Sequence, residues 1–231
     1  ILRLKKENMR LEVRVFGPCL ALGISTFVML STESLLSISF TNSLSRYGGD
    51  VAVGAMTIIT SINQLVAMPV QGICQGGQPI ISYNYGADKP ERVKKAFFTQ
   101  FCACVAYTFT FWAVIMFFPQ VFASIFTANK ELVEYSSWAL RIYMAGIFST
   151  GFQISCQQSF MALGQAKVSL LLACLRKIVL LIPLIFILPN FFDNKVFAVF
   201  LAEPVSDIIA ATVTTITFFT LFNSILKKEK R

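Results

Sequence analysis

The chain has 231 residues, 55% of them hydrophobic and only 14% charged, and its mean hydropathy is +0.67. A soluble domain carries about 25% charged residues, so the composition excludes one and describes a protein that crosses the bilayer several times. The net charge of +8 does not point to nucleic acid, because the basic residues fall between apolar spans.

The chain lacks histidine, and its six cysteines (Cys19, Cys74, Cys102, Cys104, Cys156, Cys174) all lie inside apolar spans with no CxxC spacing. Zinc, haem and iron–sulfur centres lose their usual ligands. No metal or other cofactor is expected, and the thiols read as small buried hydrophobes. Residues 1–15 form a basic stretch with Arg3, Lys5, Lys6, Arg10 and Arg14. They are read as a cytoplasmic linker or a helix lying along the membrane surface. The chain opens in this charged segment with neither an initiating Met nor a signal-peptide pattern, so it is expected to be part of a longer protein.

The first apolar span covers about residues 16–42 and holds one acid near its middle, Glu33, on a helical face with Thr26, Ser37 and Thr41. An ionised carboxylate at that depth costs at least about 2.5 kcal/mol on insertion scales, so it must be protonated, paired or wetted. Glu33 is thus a candidate for loading a proton or a cation, with interhelical hydrogen bonding as the plainer role. A turn at 46–50 (RYGGD) leads to the second span, about 52–81.

That span ends in MPVQGICQGGQPIISYNYGA (68–87), which is polar where a membrane helix is normally apolar. Gln64, Gln71, Gln75 and Gln78 follow at spacings of seven, four and three, so a helix puts all four amides on one face. An unpaired amide in hydrocarbon costs several kcal/mol. The row must therefore face protein or water, as glue between helices or as the lining of a solute path. Pro69 and Pro79 each remove a backbone donor and are expected to kink or break the helix. The Gly76–Gly77 pair allows close helix contact but is no phosphate loop, since no Gly-Lys-Ser/Thr follows.

Asp88, with Glu91 three residues on, reads as the start of a capped helix leading into the third span, about 96–118, which Pro119 closes. Asn129 is a candidate cap for the fourth span, about 135–163, where Gly146, Thr150, Gln153 and Gln157 share a face and Gly164 marks the stop. The fifth span, about 168–188, holds Arg176 and Lys177. The sixth, about 196–222, holds Glu203, Pro204 and Asp207 and runs into a basic tail, 223–231.

Six spans put both ends on one side. Fourteen of the twenty basic residues fall on that side, four at most on the other, and Arg176 and Lys177 lie within a span. Both termini are therefore expected in the cytoplasm. Arg176 and Asp207 land near mid-membrane, while Glu203 and Asp207, four apart, share a face and repel. Arg176 is expected to pair with one of them and lock two helices together, which leaves Glu33 as the better coupling candidate.

The segments GGQPIISYNYGA, DKPERVKKAF, the run 176–183 and AEPVSD (202–207) together resemble the MATE (multidrug and toxic compound extrusion) family, above all its MepA-like branch. Gln78, Pro79, Tyr83, Asn84, Tyr85 and Gly86 are the family-motif positions, and the resemblance runs through nearly the whole chain. It implies an all-α membrane protein, a six-transmembrane-helix bundle forming the C-terminal lobe of a twelve-helix transporter. It further implies efflux of small-molecule, often cationic, drugs in exchange for protons or sodium, with Glu33 matching a coupling glutamate in the seventh helix. Relatives also carry an acid in the tenth helix, where this chain offers glutamines. Asn42, Gln64, Gln71 and Gln157 would line the cavity, and the 23 Phe residues offer aromatic faces for cations. The implied partners are drugs, the bilayer and an N-terminal six-helix lobe. Two alternatives are a flippase for lipid-linked oligosaccharides and a truncated, non-transporting subunit. No histidine, metal cluster or nucleophile–base pair suggests an enzyme.

Overall fold

The computed structural model describes the backbone of residues 13–228 and the side chains of residues 31–222 and 224–226. The basic linker at 1–15, the tail at 223–231 and the side chain of Thr26 lie wholly or largely outside the described residues. Every regular element among the described residues is helical. α1 spans Val13–Gly86, α2 Pro90–Phe117, α3 Pro119–Phe126 and α4 Lys130–Tyr143. α5 spans Thr150–Ala162, α6 Ala166–Cys174, α7 Ile182–Ile187 and α8 Lys195–Lys228. A 3₁₀ segment, Met144–Ser149, joins α4 to α5, and a π-helical segment, Leu175–Leu181, joins α6 to α7.

Four described stretches are long and apolar enough to cross a membrane: Ser31–Gly86, Pro90–Phe117, Ala166–Asn190 and Lys195–Leu226. The six spans read from sequence depart from these in two places. Ser31–Gly86 has 56 residues, against the ~20 that one crossing needs. The turn expected at 46–50 shrinks to a single residue inside it: Gly49 at φ 63°, ψ −160°, a conformation that side chains disfavour. The fourth span, in turn, is α4, the 3₁₀ segment and α5 in succession. The shorter turns of the 3₁₀ segment leave carbonyls that α2 takes up. Trp112 Nε1 donates to Ala145 O (3.1 Å), and Thr108 Oγ1 donates to Phe148 O (3.2 Å).

Neither Pro69 nor Pro79 breaks α1, whose non-helical residue is Gly49. The φ of proline suits a helix, and a long helix tolerates the loss of one backbone bond. Asn129 caps α4 as expected, its Oδ1 accepting from Glu131 N (3.0 Å) and Leu132 N (3.4 Å). Asp88 does not cap α2. The N-cap there is Lys89, with no side-chain bond and Pro90 in the first turn. Asp88 instead takes the left-handed position, φ 50°, that closes α1. Asp88 N donates to Tyr85 O and Lys89 N to Asn84 O, both at 3.0 Å, the paired closure usually built on glycine. Gly164 ends α5 in the same way, with Gln165 N on Phe160 O at 2.8 Å.

The chain divides into two compact units, Ile1–Ile38 and Ser39–Arg231. In the first, Thr32 and Leu36 are buried, while Glu33, Ser34, Leu35, Ser37 and Ile38 are exposed. The second is tied together by a nest of phenylalanines. Phe97 of α2 stacks on Phe218 of α8 with centroids 4.5 Å apart. Phe160 of α5 meets Phe218 edge-on at 4.9 Å. Ile81, Leu163 and Phe222 complete the cluster. Lipid tails are as apolar as these rings, so close packing rather than exclusion from water holds the cluster together. Gly146 lets the 3₁₀ segment touch α8: an added Cβ would lie 2.8 Å from Pro204 Cα.

Candidate functional site

Three of the residues singled out from sequence meet in one buried network. The Arg176 side chain, 20% exposed, leaves the π-helical segment towards α8, where Glu203 is 8% and Asp207 6% exposed. Its Nε donates to Asp207 Oδ1 at 2.7 Å. Its Nη2 lies 2.5 Å from the same oxygen and 3.2 Å from Glu203 Oε1. Arg176 thus pairs with both acids, where sequence suggested one. The reason is geometric: one turn of α8 separates the carboxylates, and the planar guanidinium is wide enough to span them.

Two further members had no sequence signal strong enough to name them. Ser206 Oγ donates to Arg176 O at 3.1 Å, which ties the wide π turn to α8 at the backbone as well. Ser206 stands between the two acids in AEPVSD, so its placement was open to inference. Tyr143, buried at the end of α4, sets its hydroxyl beside Glu203. It lies sixty residues away in sequence, and only folding brings it near. The network joins α4, the π segment and α8.

The amide row lies on the outside. Gln64, Gln71 and Gln75 of α1 are exposed and Gln78 is half-buried; Asn42 is exposed too. Gln157 sits differently. Its Nε2 donates to Ser169 O and its backbone carbonyl accepts from Ser169 Oγ, both at 3.3 Å, so it ties α5 to α6. Gln153, on the same face of α5, is buried, and its Oε1 has no hydrogen-bond partner. Glu33 lies in the first unit with its side chain exposed.

The motif residues form the end of α1. Ser82 Oγ donates to Gln78 O (3.0 Å), Asn84 Nδ2 to Ile80 O (2.8 Å) and Ala87 N to Tyr83 O (3.0 Å). Tyr83 is 74% exposed, whereas Tyr85 is half-buried against the phenylalanine cluster. Pro79 and Gly86 are exposed. Among the described residues no group of three or more Cys, Asp or Glu could hold a metal ion.

Long apolar helices with a charge network inside them and an exposed row of amides describe a multi-pass membrane protein. The chain belongs to the MatE family, whose profile matches residues 25–187. Multidrug export protein MepA of Staphylococcus aureus (strain NCTC 8325 / PS 47) is 24% identical over 197 residues, covering 83% of this chain and 41% of the relative. MepA of Staphylococcus saprophyticus is 21% identical over 193 residues, 83% of this chain and 42% of that protein.

Solved structures agree on the fold. A MATE protein in the bent conformation superposes with a TM-score of 0.86 at 17% identity, over 99% of this chain and 50% of that one. The MATE multidrug transporter DinF-BH gives 0.79 at 30% identity, over 95% of this chain and 48% of that one. The chain spans less than half the length of the curated relatives it matches. Its fold is the six-transmembrane-helix bundle that forms one lobe of a MATE transporter.

Proposed function

We propose that this chain is the C-terminal half of a secondary active antiporter that exports organic, often cationic, compounds in exchange for protons or sodium. The observation that carries the reading is the row Gln64, Gln71 and Gln75, exposed along a helix long enough to span the bilayer. Amides in that position cannot face acyl chains without losing several kcal/mol each. They suit a wet cleft between this lobe and an N-terminal one, with Asn42, Gln64 and Gln71 on its wall. Gln157 contributes by holding α5 to α6 rather than by facing the cleft. Multidrug export by the MepA relatives supports the choice of cargo.

In this reading Glu33 takes up the coupling ion, and the two lobes rock against each other. Both termini lie in the cytoplasm, on the side that carries most of the basic residues. Glu33→Gln in the full-length transporter is the test, read as drug efflux and its dependence on external pH and sodium in cells. Efflux should fall at least tenfold with expression unchanged. Unaltered efflux and ion dependence would remove Glu33 from the mechanism.

A further inference from the structure

The two thiols that sequence alone reads as filler face each other. Cys74 of α1 and Cys104 of α2 are fully buried, with their Sγ atoms 3.6 Å apart. They share a small cluster with Val70, flanked by Ile73, Tyr107 and Ile154. Cys156 belongs to a different cluster, with Phe97 and Phe160. The pair sits on an antiparallel crossing whose register is set on one side by tight packing. Three residues after Cys74, an added Cβ at Gly77 would run into the side chain of Gln100, which lies one turn before Cys104. One turn further, Ile81 packs in the same cluster as Phe97. Glycine at 77 therefore leaves room for the Gln100 side chain between the two helices at the level next to the thiols.

We propose that Cys74 and Cys104 are a reversible modification site, closing to a disulfide that staples α1 to α2 when a bilayer-soluble hydroperoxide is the oxidant. A disulfide needs sulfurs about 2.05 Å apart and Cα atoms within about 6.8 Å. The sulfurs must close by about 1.5 Å, which side-chain rotation and a small helix shift provide. In the first step one sulfur attacks the outer peroxide oxygen, giving a sulfenic acid and releasing the alcohol. The second thiol then displaces the hydroxyl, which leaves with the thiol proton as water. Two thiols lose two hydrogens, and the hydroperoxide is reduced to alcohol and water.

Burial slows attack on both thiols, so a water-borne oxidant is a poor reagent and one that partitions into lipid is required. Gln71 and Gln75 flank Cys74 on the same helix. The staple would therefore hold the amide-bearing part of α1 against the bundle, whatever the protein carries.

The experiment uses the purified chain in lipid nanodiscs, treated with tert-butyl hydroperoxide, then unfolded, alkylated with maleimide and mapped by mass spectrometry. The expected result is a peptide linked through Cys74 and Cys104, with neither of these two thiols alkylated, and full reversal by a phosphine. Cys102, exposed on α2, reports that the oxidant arrived. Cys102 oxidised while Cys74 and Cys104 both remain alkylated would overturn the proposal. So would a link from either of them to Cys156. In Cys104→Ser the linked peptide should vanish while Cys102 still reacts.

Discussion

Removing Arg176 is the most informative single change. Arg176→Met keeps much of the side-chain length but leaves Glu203 and Asp207 facing each other across one turn of α8, each less than a tenth exposed. Breaking a buried ion pair by deleting one partner costs about 3–5 kcal/mol, because the remaining charge must be protonated or wetted in place. Here one deletion strands two acids, so the upper half of that range is expected. Replacing a whole buried network with neutral groups is often neutral or stabilising by about 1–4 kcal/mol. The triple change Arg176→Met, Glu203→Gln, Asp207→Asn should therefore recover most of the loss. SDS titration of purified protein in mixed micelles, followed by tryptophan fluorescence, measures both variants. The network would carry no weight in the fold if Arg176→Met lay within about 0.5 kcal/mol of the parent. A triple variant as unstable as the single one would show that the cost came from lost packing rather than stranded charge.

Two further changes test a helix cap and a close helix contact. Asn129→Ala removes the side-chain oxygen that accepts from Glu131 N and Leu132 N and should cost about 1 kcal/mol. The same titration reads it, and Asn129→Asp should restore the parent value. Gly146→Val places side-chain atoms where Pro204 Cα stands 2.8 Å from an added Cβ, so overpacking of about 1–3 kcal/mol is expected. Its signature is a weaker contact between the 3₁₀ segment and α8, detected as faster amide exchange over 140–150, and unchanged exchange there would contradict the close approach.

The bundle was legible because lipid leaves a chain few options. Residues that must satisfy their own backbone bonds form helices, and apolar runs bounded by charge mark where the helices end. The Asn129 cap and the Gly164 stop were readable for the same local reason, since each depends on bonds within a few residues. Asp88 misled because a capping residue and a left-handed helix end use the same small polar side chain. The prolines do not break α1: the missing donor is visible in sequence, but the fixed φ of proline already suits a helix.

Sequence alone determined that this is a membrane-embedded helical protein, which residues are too polar to face lipid, and which family motifs it carries. These follow from composition and short spacings, which no later packing can change. Tertiary structure decided what those polar groups meet: Arg176 bridging two acids instead of one, Tyr143 arriving from sixty residues away, Gln157 turned to a neighbouring helix, and two thiols brought within 3.6 Å. Each depends on the register between helices distant in the chain, and register is set by which small residue sits at a crossing.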